Sequence, residues 1–135
     1  MRAIAAVAGA LLGLAFVAFG CMYLLDMMPA QEPPPEGSPM AMFMGAFAPT
    51  GYLTFVKVLE VVGGVLVAVP RTRNLGLLVL GPILVNILAF HAFVAGGHGL
   101  TDPVLLTLCG LALLLLWCER RAFVGLVCRA GRQAS

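Results

Sequence analysis

The sequence predicts an all-α protein, a transmembrane four-helix bundle, and three observations carry that expectation. Of 135 residues, 61% are hydrophobic and only 10% charged, where a soluble domain has about 25% charged. The apolar residues form four runs, about 3–25, 52–70, 74–95 and 100–118, each near the roughly 20 residues that cross a bilayer core. All seven arginines (Arg2, Arg71, Arg73, Arg120, Arg121, Arg129, Arg132) flank those runs on one side, whereas Asp26, Glu32, Glu36 and Asp102 flank them on the other. In lipid the backbone must satisfy its own hydrogen bonds, and at this composition helices do so. The positive-inside rule then puts both termini in the cytoplasm. The expected unit is one membrane domain, 1–135, in the inner membrane of a bacterial-type cell. The net charge of +2 follows topology and implies no nucleic-acid partner.

The first run follows Arg2, as the core of a secretory leader would. Its 23 uncharged residues exceed the usual core of about 7–15, and no clean small-x-small cleavage site follows, so a retained span is expected. Within it Gly9, Gly13 and Gly20 sit at spacings that let helices approach closely. The connection 26–51 contains Pro29, Pro33, Pro34, Pro35, Pro39 and Pro49. Residues 29–39 should therefore be extended or polyproline-like. The apolar stretch 40–48 is too short to span and reads as an interfacial or re-entrant piece over the outer mouth of the bundle.

The second span starts near Tyr52 and ends at Pro70. Pro82 inside the third span removes a backbone donor and frees the carbonyl of Leu78, so a kink is expected there. The fourth span ends at Trp117, an interfacial residue type. The tail 119–135 mixes arginines with Phe123, Val124, Leu126 and Val127 and reads as a basic amphipathic segment on the inner leaflet. Cys21, Cys109, Cys118 and Cys128 form no C-x-x-C pair and read as apolar fillers rather than redox thiols.

Two charges remain inside the apolar runs, Lys57 and Glu60. Three residues apart on one helix, they share a face and can pair, with Leu53 and Gly64 on the same stripe. An isolated charge at mid-membrane costs roughly 2.5–3.5 kcal/mol on insertion scales, so pairing and an inward position are expected. Such a pair either orients its span toward the bundle axis or forms a polar site for a ligand. Depth brings further residues level with it. At about 1.5 Å per residue, Lys57 lies roughly 8 Å and Glu60 roughly 12 Å below Tyr52. Counted inward from Ala95, His91 lies about 6 Å deep and Asn86 about 13 Å. An ideal α-helix separates Asn86 and His91 by about 140° around the axis, so the two should not face the same neighbour. Asn86 is the better partner for Glu60, and His91 is expected to line the mouth or bond to an adjacent segment.

Met40, Met42 and Met44, near Met22, Met27 and Met28, could bind a soft cation such as Cu(I), but interfacial packing is the simpler reading. His98 and Asp102 lie beside Gly96, Gly97 and Gly99 and read as a turn. No metal site is expected, and no phosphate loop, dinucleotide fingerprint or nucleophile elbow is present to nominate a catalytic residue.

Tyr52-x-x-x-x-Lys57-x-x-Glu60-x-x-Gly63-Gly64, followed by Pro82-Ile-Leu-Val-Asn86-Ile-Leu-Ala-Phe90-His91-Ala-Phe93, resembles the DoxX and DoxX-like family of small four-span membrane proteins. The resemblance covers most of the chain and is strongest over about 50–95. The long Pro-rich first connection departs from it as an elaboration. The family implies a membrane-embedded bundle; its members include a small subunit linked to thiosulfate:quinone oxidoreduction and a membrane partner in an oxidant-defence complex, while related proteins act as assembly chaperones. The expectation is an accessory membrane subunit of a redox system, with Lys57, Glu60, Asn86 and His91 as a polar intramembrane site for a quinone-like head group. Gly63, Gly64 and Pro82 are expected to serve structure. No residue of the chain carries electrons alone, so a cofactor or a partner protein is required, and a protein partner or a homo-oligomer is expected. A non-enzymatic scaffold or assembly chaperone is the rival class, and a small transporter a third.

Overall fold

A computed structural model describes residues 1–133, and the described chain is all-helical. Five α-helices follow in order: α1 Arg2–Leu24, α2 Pro39–Phe47, α3 Tyr52–Ala68, α4 Arg73–Ala89 and α5 Pro103–Gln133. A 3₁₀ turn, Ala48–Thr50, joins α2 to α3, and a π-helical turn, Phe90–Val94, extends α4. Three of these segments are long and apolar enough to cross a membrane: Arg2–Leu24, Arg73–Val94 and Pro103–Gly125. The pair Pro39–Thr50 and Tyr52–Ala68 qualifies only when taken together, and it is bent by 80°. The expected second span, 52–70, thus forms a shorter helix with a separate apolar helix folded across its end.

Small residues set the closest contact. The buried stripe of α1 runs through Ala5, Ala8, Gly9, Leu12, Gly13, Phe16 and Gly20, spacings that return to one helix face. That face meets α3. A Cβ placed on Gly64 would lie 2.9 Å from the Gly13 carbonyl oxygen, and one on Gly13 would strike Gly64's carbonyl and come 2.8 Å from Ala68 Cβ. Gly63, on the other side of α3, admits Leu80 of α4 at 2.7 Å from its would-be Cβ. The hydrophobic centre is formed by Leu12, Phe16, Val67, Leu77, Leu80, Leu84, Ala112 and Leu115, with Ala5 and Ala8 at one end. Outward faces carry large apolar side chains, among them Leu14, Val85, Leu113 and Phe93, as a lipid-facing surface requires and a water-facing one does not.

Ser38 and Gly51 explain the two breaks around α2. The Ser38 hydroxyl accepts a hydrogen bond from Ala41 N–H at 3.1 Å, and Pro39 occupies the first helical position, where its missing N–H costs nothing. Of the expected extended stretch, 29–35 carries no helix; the chain then turns at Glu36–Gly37, where Ser38 N–H donates to the Pro35 carbonyl at 3.1 Å. Gly51 adopts φ +78°, a conformation glycine enters without a Cβ penalty. At that corner the Thr50 hydroxyl donates to the Phe47 carbonyl (2.7 Å) and accepts from Tyr52 N–H (3.3 Å).

The fourth span and the tail are one helix, Pro103–Gln133, and no break separates a surface segment at 119. Asp102 starts it: its carboxylate accepts from Val104 N–H at 2.7 Å and its carbonyl from Leu106 N–H at 3.0 Å. No proline follows Pro103 to stop it, and the Arg120 guanidinium donates to the Trp117 carbonyl at 2.8 Å and lies over the Trp117 ring. At about 1.5 Å per residue this helix is longer than a bilayer core. Residues 134–135 of the expected tail lie outside the described residues. The third span is also not uniform. It passes through Pro82 as continuous α-helix, and its irregular turn comes later, at Phe90–Val94, where Ala95 N–H reaches back five residues to the Phe90 carbonyl at 2.9 Å.

Candidate functional site

The four polar residues singled out along the sequence, Lys57, Glu60, Asn86 and His91, line one cavity of about 310 Å³. Its walls come from four helices. Tyr23 closes it from the end of α1, Tyr52 and Leu53 from the start of α3, Ile87 from α4, Phe90 from the π turn that extends it, and Phe43 and Met44 from α2. The apolar helix before α3 packs against this cavity, held by aromatic contacts between Phe43 and Phe90 (5.1 Å between centroids) and between Phe47 and Tyr52 (5.1 Å).

Lys57 and Glu60 are paired through both carboxylate oxygens. The Lys57 ammonium donates to Glu60 Oε2 at 2.8 Å and Oε1 at 3.0 Å. Their surroundings are unequal: the Glu60 side chain is 3% exposed and that of Lys57 29%. The carboxylate is therefore the sealed member, and the ammonium is the one in reach of a cavity occupant. The Tyr23 ring lies 5.8 Å from the ammonium, an attractive placement for a cation.

Asn86 lines the cavity from α4, but among the described residues no hydrogen bond joins it to Glu60. It is exposed rather than sealed beside the carboxylate. The expected direct contact is thus replaced by a shared cavity. His91 also lines this cavity, from the π turn that extends α4.

His91 is further fixed by the glycine-rich connection. Its Nδ1 lies 2.7 Å from the His98 carbonyl oxygen. A carbonyl only accepts, so Nδ1 carries the proton and, in the neutral ring, Nε2 is left as an acceptor. Gly99 makes the approach possible: at φ +84°, a Cβ there would sit 2.7 Å from His91 Nδ1. His98 and Asp102 are thereby accounted for by backbone support and helix capping. Among the described residues no group of three or more His, Cys, Asp or Glu comes together as a metal site would require.

A second buried charge escaped the sequence pattern. Arg73, expected only to mark the topology, is 5% exposed, so Lys57 and Glu60 are not the only charges inside the fold. Its Nη1 pairs with Glu119 Oε1 at 3.2 Å. Glu119 carried the available signal, being the one acidic residue among the arginine-bearing segments. Tyr23, Phe43 and Met44 were also not foreseen as lining residues. They lie far from Lys57 in sequence, and no periodicity within one helix relates them to it.

No family model matches the chain, and no solved structure matches it. It is similar to a Bacillus subtilis (strain 168) protein named uncharacterized protein YwoB, with 37% identity over 76 residues, covering 56% of this chain and 47% of that relative. The match spans about half the length of the relative.

Proposed function

We propose that this chain is a DoxX-like integral membrane protein whose four apolar helical segments form a bundle in the cell membrane. In this reading it serves as an accessory membrane subunit of a quinone-linked redox system. The observation that carries the proposal is the convergence of Lys57, Glu60, Asn86 and His91 on one cavity whose other walls are apolar or aromatic. Ligand sites of this kind combine an apolar lining with a few placed polar groups, in volumes upward of roughly 300 Å³. A quinone-like head group needs hydrogen-bond donors for its carbonyl oxygens and flat apolar walls for its ring. The Lys57 ammonium and the Asn86 amide are donors, Phe43 and Phe90 offer flat faces, and Ile87 adds apolar wall. When bound, the quinone would supply the electron chemistry. The chain's own residues would bind and orient it, with Glu60 holding the ammonium in place. The redox protein it serves would be a separate partner.

The test is binding of a quinone analogue to the purified protein, compared with Asn86→Leu. Leucine nearly matches asparagine in volume and loses both hydrogen-bonding functions of the amide. The variant should fold with unchanged helix content and bind the analogue about tenfold more weakly or worse, the loss expected for one or two good hydrogen bonds. Absence of analogue binding by the unsubstituted protein would overturn the redox reading and favour a scaffold whose polar pair docks a client helix.

Orientation is part of the same proposal. With the arginine-bearing ends in the cytoplasm, Ser38→Cys should react with an impermeant thiol reagent added outside intact cells. Cys128, tested with Cys21, Cys109 and Cys118 replaced by alanine, should react only after the membrane is opened. Reaction of Cys128 from outside would reverse the topology.

A further inference from the structure

A second cavity, of about 450 Å³, lies at the arginine-bearing end of the fold, away from the Lys57–Glu60 site. It is lined by Arg2, Ala5, Pro70, Arg73, Cys118 and Glu119, among others. Glu60 and the end of α3 at Ala68 are eight residues apart, roughly 12 Å along the helix, and Arg73 follows the turn beyond. The two cavities are therefore separate sites.

Arg73 is the unusual member. It is 5% exposed, and only Nη1 has a partner, the Glu119 carboxylate. Nε and Nη2 are buried with no hydrogen-bond partner among the described residues. A guanidinium is always charged and presents its donors in a fixed fork, so two idle donors on a sealed arginine are expensive to maintain. The fold makes room for it: a Cβ on Gly9 would come within 2.8 Å of Arg73 Nε. The adjoining backbone points the same way. Arg73 is the first residue of α4, and Thr72 before it provides no side-chain cap. The Thr72 hydroxyl instead donates to the Leu66 carbonyl at 2.9 Å. The first N–H groups of α4 are thus left without a capping side chain, at the positive end of the helix dipole. Arg2 on the cavity wall adds a second cation against the single carboxylate of Glu119.

We propose that this cavity binds a phosphate group, with the Arg73 guanidinium on its wall as principal ligand and Arg2 as the outer cation. Glu119 then has a definite part. It holds Arg73 in place from one side and weakens anion binding by its charge. A phosphate group could reach the site as a phospholipid headgroup at the membrane surface or as a soluble phosphate. Both offer the oxygen geometry that a guanidinium fork engages.

The full-length protein in phosphatidylcholine nanodiscs provides the test. Its thermal midpoint is measured with inorganic phosphate against chloride at constant ionic strength, and separately with phosphatidylglycerol included in the disc. The expected result is stabilisation by at least one of the two. Stabilisation by phosphatidylglycerol alone identifies a lipid headgroup as the source, and stabilisation by inorganic phosphate identifies a soluble one. Arg73→Lys keeps the charge and a partner for Glu119 but lacks the fork, and should weaken the response about tenfold. Glu119→Gln should strengthen it, a gain that a purely structural ion pair would not produce. Arg121→Gln, outside the cavity, should respond as the unsubstituted protein does. The proposal is overturned if neither phosphate source shifts the midpoint, if Arg73→Lys responds undiminished, or if Glu119→Gln binds more weakly while remaining folded.

Discussion

Replacing Lys57 by alanine is expected to destabilise the folded chain by about 3–5 kcal/mol, the usual cost of breaking a buried ion pair from one side. The variant strands a carboxylate that is 3% exposed and whose two oxygens both accept from Lys57. Glu60→Ala should cost less. The lysine it leaves behind is 29% exposed, and its flexible stem can carry the ammonium toward the cavity mouth. The double variant should be the mildest relative to the sum of the singles, because apolar residues then face apolar neighbours and no charge is stranded. Unfolding equilibria of the four proteins in mixed micelles measure the cycle. A double variant that loses at least the sum of the two singles would show that the residues are not coupled.

The seam between α1 and α3 gives the second large effect. Gly13→Val should destabilise the protein by at least about 1–3 kcal/mol, the range for forcing extra carbon into a close-packed contact. The obstacle is backbone rather than a movable side chain: the new Cβ would meet the Gly64 carbonyl and Ala68, so relief requires the helices to separate. Gly64→Val should act alike, against the Gly13 carbonyl and Phe16. Gly110 supplies the contrast. It lies within α5 with nothing within 4 Å of its would-be Cβ. There alanine should stabilise by about 0.5–1 kcal/mol through helix propensity. The same unfolding measurement distinguishes them, and equal effects at Gly13 and Gly110 would remove the close contact as the explanation.

The Gly13–Gly64 contact also shows what spacing alone can convey. Gly9, Gly13 and Gly20 mark one face of α1 because helical periodicity is a property of a single segment. The partner of that face is not, since Gly64 and Ala68 are equally available to any helix that approaches. The same division runs through the candidate site. Lys57 and Glu60 are three residues apart on one helix, so their pairing follows from local geometry. Their level with Asn86 and His91 follows from the constant rise of a helix. The setting of the His91 ring does not, because it is held by the His98 carbonyl at 2.7 Å and by the room that Gly99 leaves, contacts supplied by a connection beyond the helix.

By itself, then, the sequence determined the all-helical class, the positions of the apolar segments and the identity of the polar pair. Each of these depends on composition or on periodicity within a short stretch, and the energetic cost of exposing backbone or charge to lipid leaves few alternatives. Only the tertiary structure decided that α2 is joined to α3 at an 80° bend through the left-handed Gly51, that α5 continues unbroken past Glu119, and that Glu60 rather than Lys57 is the sealed partner. It alone decided that Arg73 is buried with donors unused. A flanking arginine and a buried one look alike in a chain, because burial is set by which helices meet around the residue, and that depends on long-range contacts between segments whose separate patterns do not specify one another.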